Sequence, residues 1–248
     1  RPGREFARPG RQSIFGRYFC IMAKITSITE AVALVKDGMS VMVGGFLGCG
    51  GPDKLMHALA LSGVKDLTII CNDGGLPGGR LLGVQELIHN GQVKHLIATH
   101  IGMNKEVGQM MNAGTMKVTL VPQGSLAEKI RAGGYGLGGV LTPTGLGTPV
   151  GVGAEDASGT GTKESITIDG KEYLLERPIR ADVACIYGSV ADKYGNVKIH
   201  GTARNFNTVM ATAADTVICQ ADEVVEMIDP DEVLIQGVLV DYIVGGKN

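Results

Sequence analysis

The chain has 248 residues, of which 44% are hydrophobic, 38 are glycine and none is tryptophan. Its formal net charge of −2 at pH 7 lacks the basic excess of nucleic-acid-binding domains. No apolar run approaches the ~20 residues that a membrane-spanning helix needs. These properties predict one large α/β domain that binds neither nucleic acid nor membrane.

The first 21 residues differ in composition from the rest of the chain. They contain five arginines and one glutamate, and Met22 followed by Ala23 is typical of a natural start. We interpret residues 1–21 as a vector-derived leader and residues 22–248 as a single domain. An arginine-rich organelle transit peptide is the alternative for the leader.

The five cysteines are odd in number and include no C-x-x-C pair. Three of them lie in or beside apolar runs, as buried thiols usually do. This pattern predicts reduced thiols in a reducing compartment rather than a disulfide framework.

From Met22 onward, amphipathic segments alternate with short apolar ones. Ser27 and Glu30 form a capping box that predicts a helix ending at Gly38, and Pro52 occupies a first-turn position of the next predicted helix. In chain order, the predicted elements are helix 27–38, strand 40–45, helix 52–63, strand 66–73, helix 81–91, strand 93–100, helix 104–114, strand 116–122 and helix 125–134.

After Gly133 the chain becomes a long region rich in glycine and threonine. Beyond this region, the two-residue turn signal Asp169-Gly170 predicts a hairpin over 165–176. Further strands are predicted over 181–192, 215–222 and 233–244. Together these elements predict an α/β fold: an open, largely parallel sheet with helices on both faces and a β-rich C-terminal part.

Four polar or glycine-rich clusters each follow a predicted strand. They span residues 44–50, 72–75, 100–104 and 122–124. In an open parallel sheet the carboxyl ends of the strands meet at one edge, and ligands bind in the crevice there. The clusters therefore predict a ligand site at this edge.

The glycine-rich cluster at 44–50 has a simpler explanation, which is a tight turn that packs a strand against a helix. It lacks the G-K-[ST] ending of a phosphate-binding Walker loop and the spacing of a dinucleotide fingerprint. The full pattern is longer and more specific: Asp37-Gly38, an apolar strand, Gly44-Gly45-Phe46, then Gly50 and Pro52.

This stretch, "DGMSVMVGGFLGCGGP" at residues 37–52, resembles the first signature of the family I coenzyme A transferases. The resemblance continues in order through "VPQGSLAEKIRAGG", "LTPTGLGT", "LERPIRADVA" and "ARNFN" with "MATAA", and covers about residues 25–244. The chain is similar to the α subunits of bacterial acetate, acetoacetate or butyrate enzymes and to the N-terminal half of succinyl-CoA:3-oxoacid enzymes. The resemblance implies a fold related to sugar-phosphate isomerases and a bacterial cytoplasmic protein rather than a mitochondrial one.

The resemblance also implies a reaction in which CoA moves between a short-chain acyl-CoA and a free carboxylate. A glutamate of a β subunit attacks the thioester and becomes a glutamyl-CoA thioester, so catalysis is covalent. The implied partner is that β subunit, in an α2β2 or larger assembly. Coenzyme A is then a substrate and acyl carrier, and we expect neither a metal nor a nucleotide redox cofactor.

By the same resemblance, the carboxamide of Gln123 polarises the thioester carbonyl, because amide N–H groups stabilise a developing oxyanion. Asn72, Asn104 and Gly124 are candidate substrate-binding residues, although turn or N-cap chemistry explains both asparagines equally well. Asn205 is assigned a structural or interface role. The candidate CoA-binding residues, whose backbone N–H groups follow the first buried strand, are Gly44, Gly45, Phe46, Leu47, Gly48, Cys49 and Gly50.

Two other functions stay open from the sequence. A sugar-phosphate isomerase on a similar sheet would need its own carboxylate or lysine base beside a phosphate loop. A non-catalytic domain would bind acyl-CoA or carboxylate without transferring CoA. Acyl specificity, stoichiometry and the role of residues 150–165 are not determined by these patterns.

Overall fold

The computed structural model describes residues 23–75 and 83–245. The proposed leader at 1–21, including Cys20, lies outside the described residues, as do the first two residues of the helix predicted over 81–91. Within the described ranges, no helix has the length and apolar character needed to cross a bilayer.

The described part of the chain contains six α-helices and twelve strands, which follow the predicted alternation in its first half. The helices are α1 Ile28–Val32, α2 Asp53–Leu61, α3 Val84–His89, α4 Lys105–Asn112, α5 Gln123–Tyr135 and α6 Phe206–Met210. The strands are β1 Lys24–Ile25, β2 Ser40–Val43, β3 Leu67–Cys71, β4 Val93–Ala98, β5 Lys117–Leu120, β6 Val140–Thr142, β7 Glu164–Ile168, β8 Lys171–Glu176, β9 Ala181–Asp192, β10 Val197–Lys198, β11 Ala214–Val225 and β12 Tyr242–Gly245.

The first helix shows how local sequence signals set its ends. Ser27 and Glu30 form the predicted capping box, in which each side chain accepts a hydrogen bond from the other residue's backbone N–H at 3.2 Å. The helix ends at Val32 and does not continue to Gly38. The residues that follow form hydrogen bonds that span three residues, from Leu34 N to Ala31 O and from Val35 N to Val32 O, instead of the four-residue bonds of an α-helix. At the second helix, Pro52 is the N-cap and not a first-turn residue.

The main sheet is open and almost entirely parallel, which confirms the predicted fold. Its strand order is β1-β12-β11-β9-β2-β3-β4-β5, and β10 pairs antiparallel with β9. From β2 the chain winds outward to β5, and it then returns through α5 to β9 on the other side of β2. The winding therefore reverses between β2 and β9, and this reversal opens a crevice at the carboxyl ends of the two strands.

Helices cover both faces of this sheet, as predicted. One buried apolar cluster includes residues of α1, α2, α3 and α4. The other includes Leu126 and Ile130 of α5 and Phe206 and Met210 of α6. Two layers of helices thus bury the strands from both sides.

A second, antiparallel sheet has the order β6-β8-β7 and contains the predicted hairpin. Asp169 (φ 50°) and Gly170 (φ 75°) form its turn, with the positive φ values of a two-residue hairpin turn.

The C-terminal region differs from the prediction in one strand. Of the strand predicted over 233–244, only its end is β12, and Gly237–Leu239 is a 3₁₀-helix. Gly237 packs so closely on another turn that a Cβ there would lie 2.2 Å from Tyr194 O. This tertiary contact overrides the apolar pattern. Helix α6 was not predicted as a helix.

Four buried charges join the second sheet to α5. Lys129 is fully buried, and its Nζ lies 2.9 Å from both Asp156 Oδ1 and Glu176 Oε2. Lys163 Nζ lies 2.7 Å from the other oxygen of Glu176. Two lysines and two carboxylates thus neutralise one another between α5, β8 and the glycine-rich region that the sequence left unassigned.

Candidate functional site

The segment 44–51, which we call the glycine loop, connects β2 to α2 at the crevice. Gly44 N donates a hydrogen bond of 3.0 Å to Cys185 O, so the loop leaves the sheet beside β9. Phe46 and Cys49 then exchange two backbone hydrogen bonds, of 3.0 and 2.9 Å, around a turn with positive φ at Leu47 (47°) and Gly48 (74°). The loop is therefore a compact, folded turn.

Internal packing explains two of its glycines. A Cβ on Gly44 would lie 1.8 Å from Asn207 Oδ1, and a Cβ on Gly50 would lie 2.7 Å from the Cβ of Ala203. The Asn207 carboxamide is fully used: its oxygen accepts from Tyr187 N, and its nitrogen donates to Gly50 O and Ala203 O. Close approach of α6 at Gly44, and of the 3₁₀-helix Gly201–Ala203 at Gly50, therefore excludes a side chain at these two positions without any ligand.

The glycine loop nevertheless has unused hydrogen-bond donors. Within the described residues, the N–H groups of Gly45, Gly48 and Gly50 have no acceptor. The loop lines a cavity of about 300 Å³ with residues 44–48 and 51, and the other walls include Asp53, Asn72 and Asp73, whereas Cys49 and Gly50 are not among the lining residues. Backbone N–H groups facing such a cavity can bind an anionic or carbonyl oxygen.

A chain of hydrogen bonds runs along the ends of three strands. Gln123 Nε2 donates to Asn72 Oδ1 at 2.6 Å, and Asn72 Nδ2 donates to Asp73 Oδ2 at 2.7 Å. The same Asp73 oxygen accepts from Leu47 N in the glycine loop at 2.9 Å. We call Gln123, Asn72 and Asp73 the amide chain. With its bond to Leu47, the amide chain connects three of the four predicted clusters, at 44–50, 72–75 and 122–124.

The predicted site residues occupy different environments. Gln123 is an exposed side chain at the first helical position of α5, and Gly124 beside it is exposed with open space around its Cα. Asn72 is only 1% exposed, so it contributes to the crevice through its partners. Asn104 is buried as the N-cap of α4: its oxygen accepts from Glu106 N and its nitrogen donates to Gly74 O.

The sequence interpretation missed three residues that shape the crevice: Asp53, Asp73 and Asn207. Asp73 stood in the cluster 72–75, where its neighbour Asn72 was preferred. Asn207 is distant in sequence, and only tertiary contact reveals its role. Asp53 lines the cavity, and burial raises the pKa of its carboxyl group. Asn205, assigned a structural role, donates from Nδ2 to Cys49 O and Thr202 O.

The described cysteines are all free thiols. Cys71, Cys185 and Cys219 are buried, and burial raises the pKa of Cys185 and of Cys219 to about 12. Cys49 in the glycine loop is half-buried, with Sγ 3.0 Å from Thr202 Oγ1. In the part of the chain that the structure describes, no group of three or more His, Cys, Asp or Glu could hold a metal ion.

Gly44→Ala tests the packing explanation for the glycine loop. We expect the free energy of unfolding to fall by about 1–3 kcal/mol, because the displaced Asn207 carboxamide leaves buried polar groups without partners. Chemical denaturation measures this change. Gly108→Ala on α4, where a Cβ meets nothing within 4 Å, is the control and should be neutral or stabilising. Equal stability of Gly44→Ala and the wild type would contradict the explanation.

Comparisons with known proteins agree on one family. The family model described as "Coenzyme A transferase" matches residues 25–246. The acetate CoA-transferase subunit alpha of Escherichia coli (strain K12) is 46% identical over 223 residues, which cover 89% of this chain and 96% of that protein. The acetoacetyl-CoA:acetate/butyrate CoA transferase alpha subunit of Clostridium acetobutylicum is 47% identical and covers 90% and 97% respectively.

Solved structures show the same architecture. An acyl-CoA transferase apoenzyme from Escherichia coli O157:H7 has a TM-score of 0.77 at 25% identity, and the match covers 90% of this chain and 47% of that longer one. The glutaconate coenzyme A-transferase of Acidaminococcus fermentans has a TM-score of 0.75 at 20% identity, covering 90% and 75%, which supports the fold alone.

Proposed function

Because the chain belongs to the coenzyme A transferase family, we propose that it is the α subunit of a heteromeric enzyme that moves CoA between a short-chain acyl-CoA and a free carboxylate. The observation that carries this proposal is its similarity, over nearly their whole length, to two proteins named as α subunits. Acetate, acetoacetate and butyrate are the substrates in their names, and we propose the same substrate class here.

The proposed reaction exchanges one thioester for another through a glutamate of the partner β subunit. That carboxylate attacks the thioester carbonyl and expels CoA thiolate, which leaves a mixed anhydride. The thiolate then attacks the glutamyl carbonyl of the anhydride, releasing the first carboxylate and leaving a glutamyl-CoA thioester. An incoming carboxylate reverses both steps with its own acyl group.

Glutamates of this chain are poorly placed for that role. Glu106 contacts His89 Nδ1 at 3.1 Å, and Glu128 contacts Arg131 Nη2 at 2.6 Å. Glu176 is fully buried between two lysines. Among the described residues, the cavity wall contains aspartates but no glutamate. This distribution supports a nucleophile on the partner.

The contribution of this chain is hydrogen-bond donors at the crevice. Among the described residues Gln123 Nε2 donates to Asn72 alone, and we propose that its second N–H donates to a carbonyl that gains negative charge. We propose that the unused N–H groups of Gly45 and Gly48, two residues that line the cavity, bind the CoA arm or a carboxylate. We propose an α2β2 or larger assembly that closes the crevice.

Reconstitution tests the proposed function. We expect the purified chain alone to show no CoA transfer, and the chain mixed with its β subunit to transfer CoA between acetyl-CoA and butyrate or acetoacetate. Mass spectrometry after borohydride trapping should place the adduct on a glutamate of the partner. A β subunit with that glutamate changed to glutamine is the control.

Two outcomes would contradict the proposal. One is an adduct on any glutamate of this chain, which would remove the need for a partner nucleophile. The other is conversion of a phosphosugar by the chain alone, which would favour an isomerase on a similar sheet.

A further inference from the structure

The second sheet has one buried face and one exposed face. Leu174 and Glu176 of β8 lie on the buried side and are fully buried. The alternate residues of β8 and their partners in β6 and β7 lie on the opposite side, because paired residues share a face of the sheet. We call this side the outer face, and its apolar members are Leu141, Ile166, Ile168, Tyr173 and Leu175. Three of them, Leu141, Ile166 and Ile168, are exposed, so the outer face is an apolar surface open to solvent within the described part of the chain.

Strand β7 forms one edge of this sheet, and all five of its residues are exposed. Ile168 and Lys171 flank the two-residue turn, so they form a hydrogen-bonded pair, and such pairs recur at every second residue. Ser165 and Thr167 lie between these pairs, so their backbone N–H and C=O groups point away from β8. No described residue bonds to these four groups. Strand β7 thus presents two donors and two acceptors at a free edge.

This edge lacks the features that usually prevent pairing with another strand. Natural proteins protect exposed edges with lysine, proline or a bulge. Strand β7 contains neither residue, and it pairs with β8 without a shift in register. Its one charged residue, Glu164, is bound by Arg177 Nη2 at 3.0 Å. An unprotected edge beside an apolar face is typical of a surface that another strand covers.

We propose that β7 pairs antiparallel with β7 of a second copy of this chain, which joins the two second sheets into one six-stranded sheet. A two-fold axis perpendicular to the sheet at Ile166 brings this residue opposite Ile166 of the partner subunit. Ser165 then lies opposite Thr167 of the partner subunit, and the reverse pair is equivalent. These two pairs form four backbone hydrogen bonds, which use all the free groups of both edges.

The charges of the two copies are compatible with this register. Glu164 lies opposite Ile168 of the partner subunit, and the next residue across that sheet is Lys171 of the partner subunit. Opposite charges therefore come close on the outer face, and no like charges face one another across the two edges. The identical edges are thus complementary to each other, which favours a second copy as the occupant.

The position of the second sheet also favours a second copy over the β subunit. Strand β8 ends at Glu176, shortly before β9 begins at the amino edge of the main sheet. No residue of β6, β7 or β8 lines the cavity at the carboxyl edge. Pairing through β7 therefore leaves the crevice open to a β subunit, and it would join two α subunits within a larger assembly.

Thr167→Pro tests the pairing in the purified full chain by sedimentation equilibrium. Proline removes the N–H of residue 167, which points away from β8, so the hairpin is retained while each copy loses one intersubunit bond. We expect the dissociation constant of the dimer to rise at least about 10-fold. Thr167→Ala keeps the N–H and is the matched control. A wild type that stays monomeric up to about 100 µM, or an unchanged constant in Thr167→Pro, would overturn the proposal.

Charge exchange at residue 166 tests the two-fold register. Because this residue faces its own copy, Ile166→Lys and Ile166→Asp should each remain monomeric by like-charge repulsion. An equimolar mixture of the two variants should form dimers that contain one chain of each kind. Dimers of either variant alone, or a mixture no more dimeric than its components, would show that the register is wrong. Neither measurement needs CoA transfer or a β subunit, so failure of the pairing and failure of the proposed function are separate results.

Discussion

Lys129→Met is expected to lower the free energy of unfolding by about 3–5 kcal/mol, because it leaves buried carboxylates without their counter-charge. Lys129 lies 2.9 Å from both Asp156 and Glu176, and after its loss Lys163 is the one described lysine in contact with this pair, bound to Glu176 and not to Asp156. Chemical denaturation at neutral pH measures the effect.

The double variant Lys129→Met/Asp156→Asn is the matched control for this loss. It removes one charge of each sign and retains the pair between Lys163 and Glu176 at 2.7 Å. Since replacing a complete buried pair is often nearly neutral, the double variant should regain most of the lost stability. Equal stability of the single and double variants would show that packing, rather than charge balance, accounts for the role of Lys129.

The pH dependence of the free energy of unfolding gives a second check on the role of Lys129. Burial alone would raise the pKa of Asp156, but hydrogen bonds from Ser158 and the charge of Lys129 bring it below its usual value. In the wild type this group therefore contributes stability at neutral pH, which is lost as the pH falls through its folded pKa. Without Lys129, fewer interactions oppose the effect of burial, which raises the pKa of Asp156. Mild acidification should therefore reduce the difference in free energy of unfolding between Lys129→Met and the wild type.

Gln123→Ala should lower kcat for CoA transfer by about 10²-fold, with a smaller effect on KM, because it removes a donor used mainly in the transition state. Gln123 is exposed at the start of α5, but its truncation removes the donor to the buried Asn72 oxygen, so we expect a loss of about 1 kcal/mol in the free energy of unfolding with the fold retained. Steady-state kinetics of the assembled enzyme measure the loss. Gln109→Ala, an exposed glutamine on α4, is the control.

Gln123→Glu sharpens this test. The carboxylate has nearly the same shape but only accepts hydrogen bonds, so it would face Asn72 Oδ1 without a donor and repel a developing oxyanion. Its kcat should therefore fall at least as far as that of Gln123→Ala. Normal turnover in either variant would remove Gln123 from the proposed mechanism.

Much of the fold followed from local patterns. Apolar strands alternating with amphipathic helices predicted the parallel sheet, because each element must bury its own apolar face. The capping box at Ser27 and the turn at Asp169-Gly170 were confirmed, since such signals act over two to four residues. One failure has a local cause, the end of α1 at Val32, and another arises where a distant segment intervenes, as at Gly237, which packs against Tyr194 O.

The sequence by itself determined that polar and glycine-rich clusters meet at the carboxyl edge of the sheet, because strand direction follows from the alternation of elements. Only the tertiary structure decided how these clusters are used. It placed Asn207 against Gly44, which explains that glycine by packing, and it joined Gln123 to Asn72 across 51 positions of the chain. Such contacts depend on the geometry of the whole sheet, and no local spacing of residue types encodes which distant side chain will fill a given space or accept a given hydrogen bond.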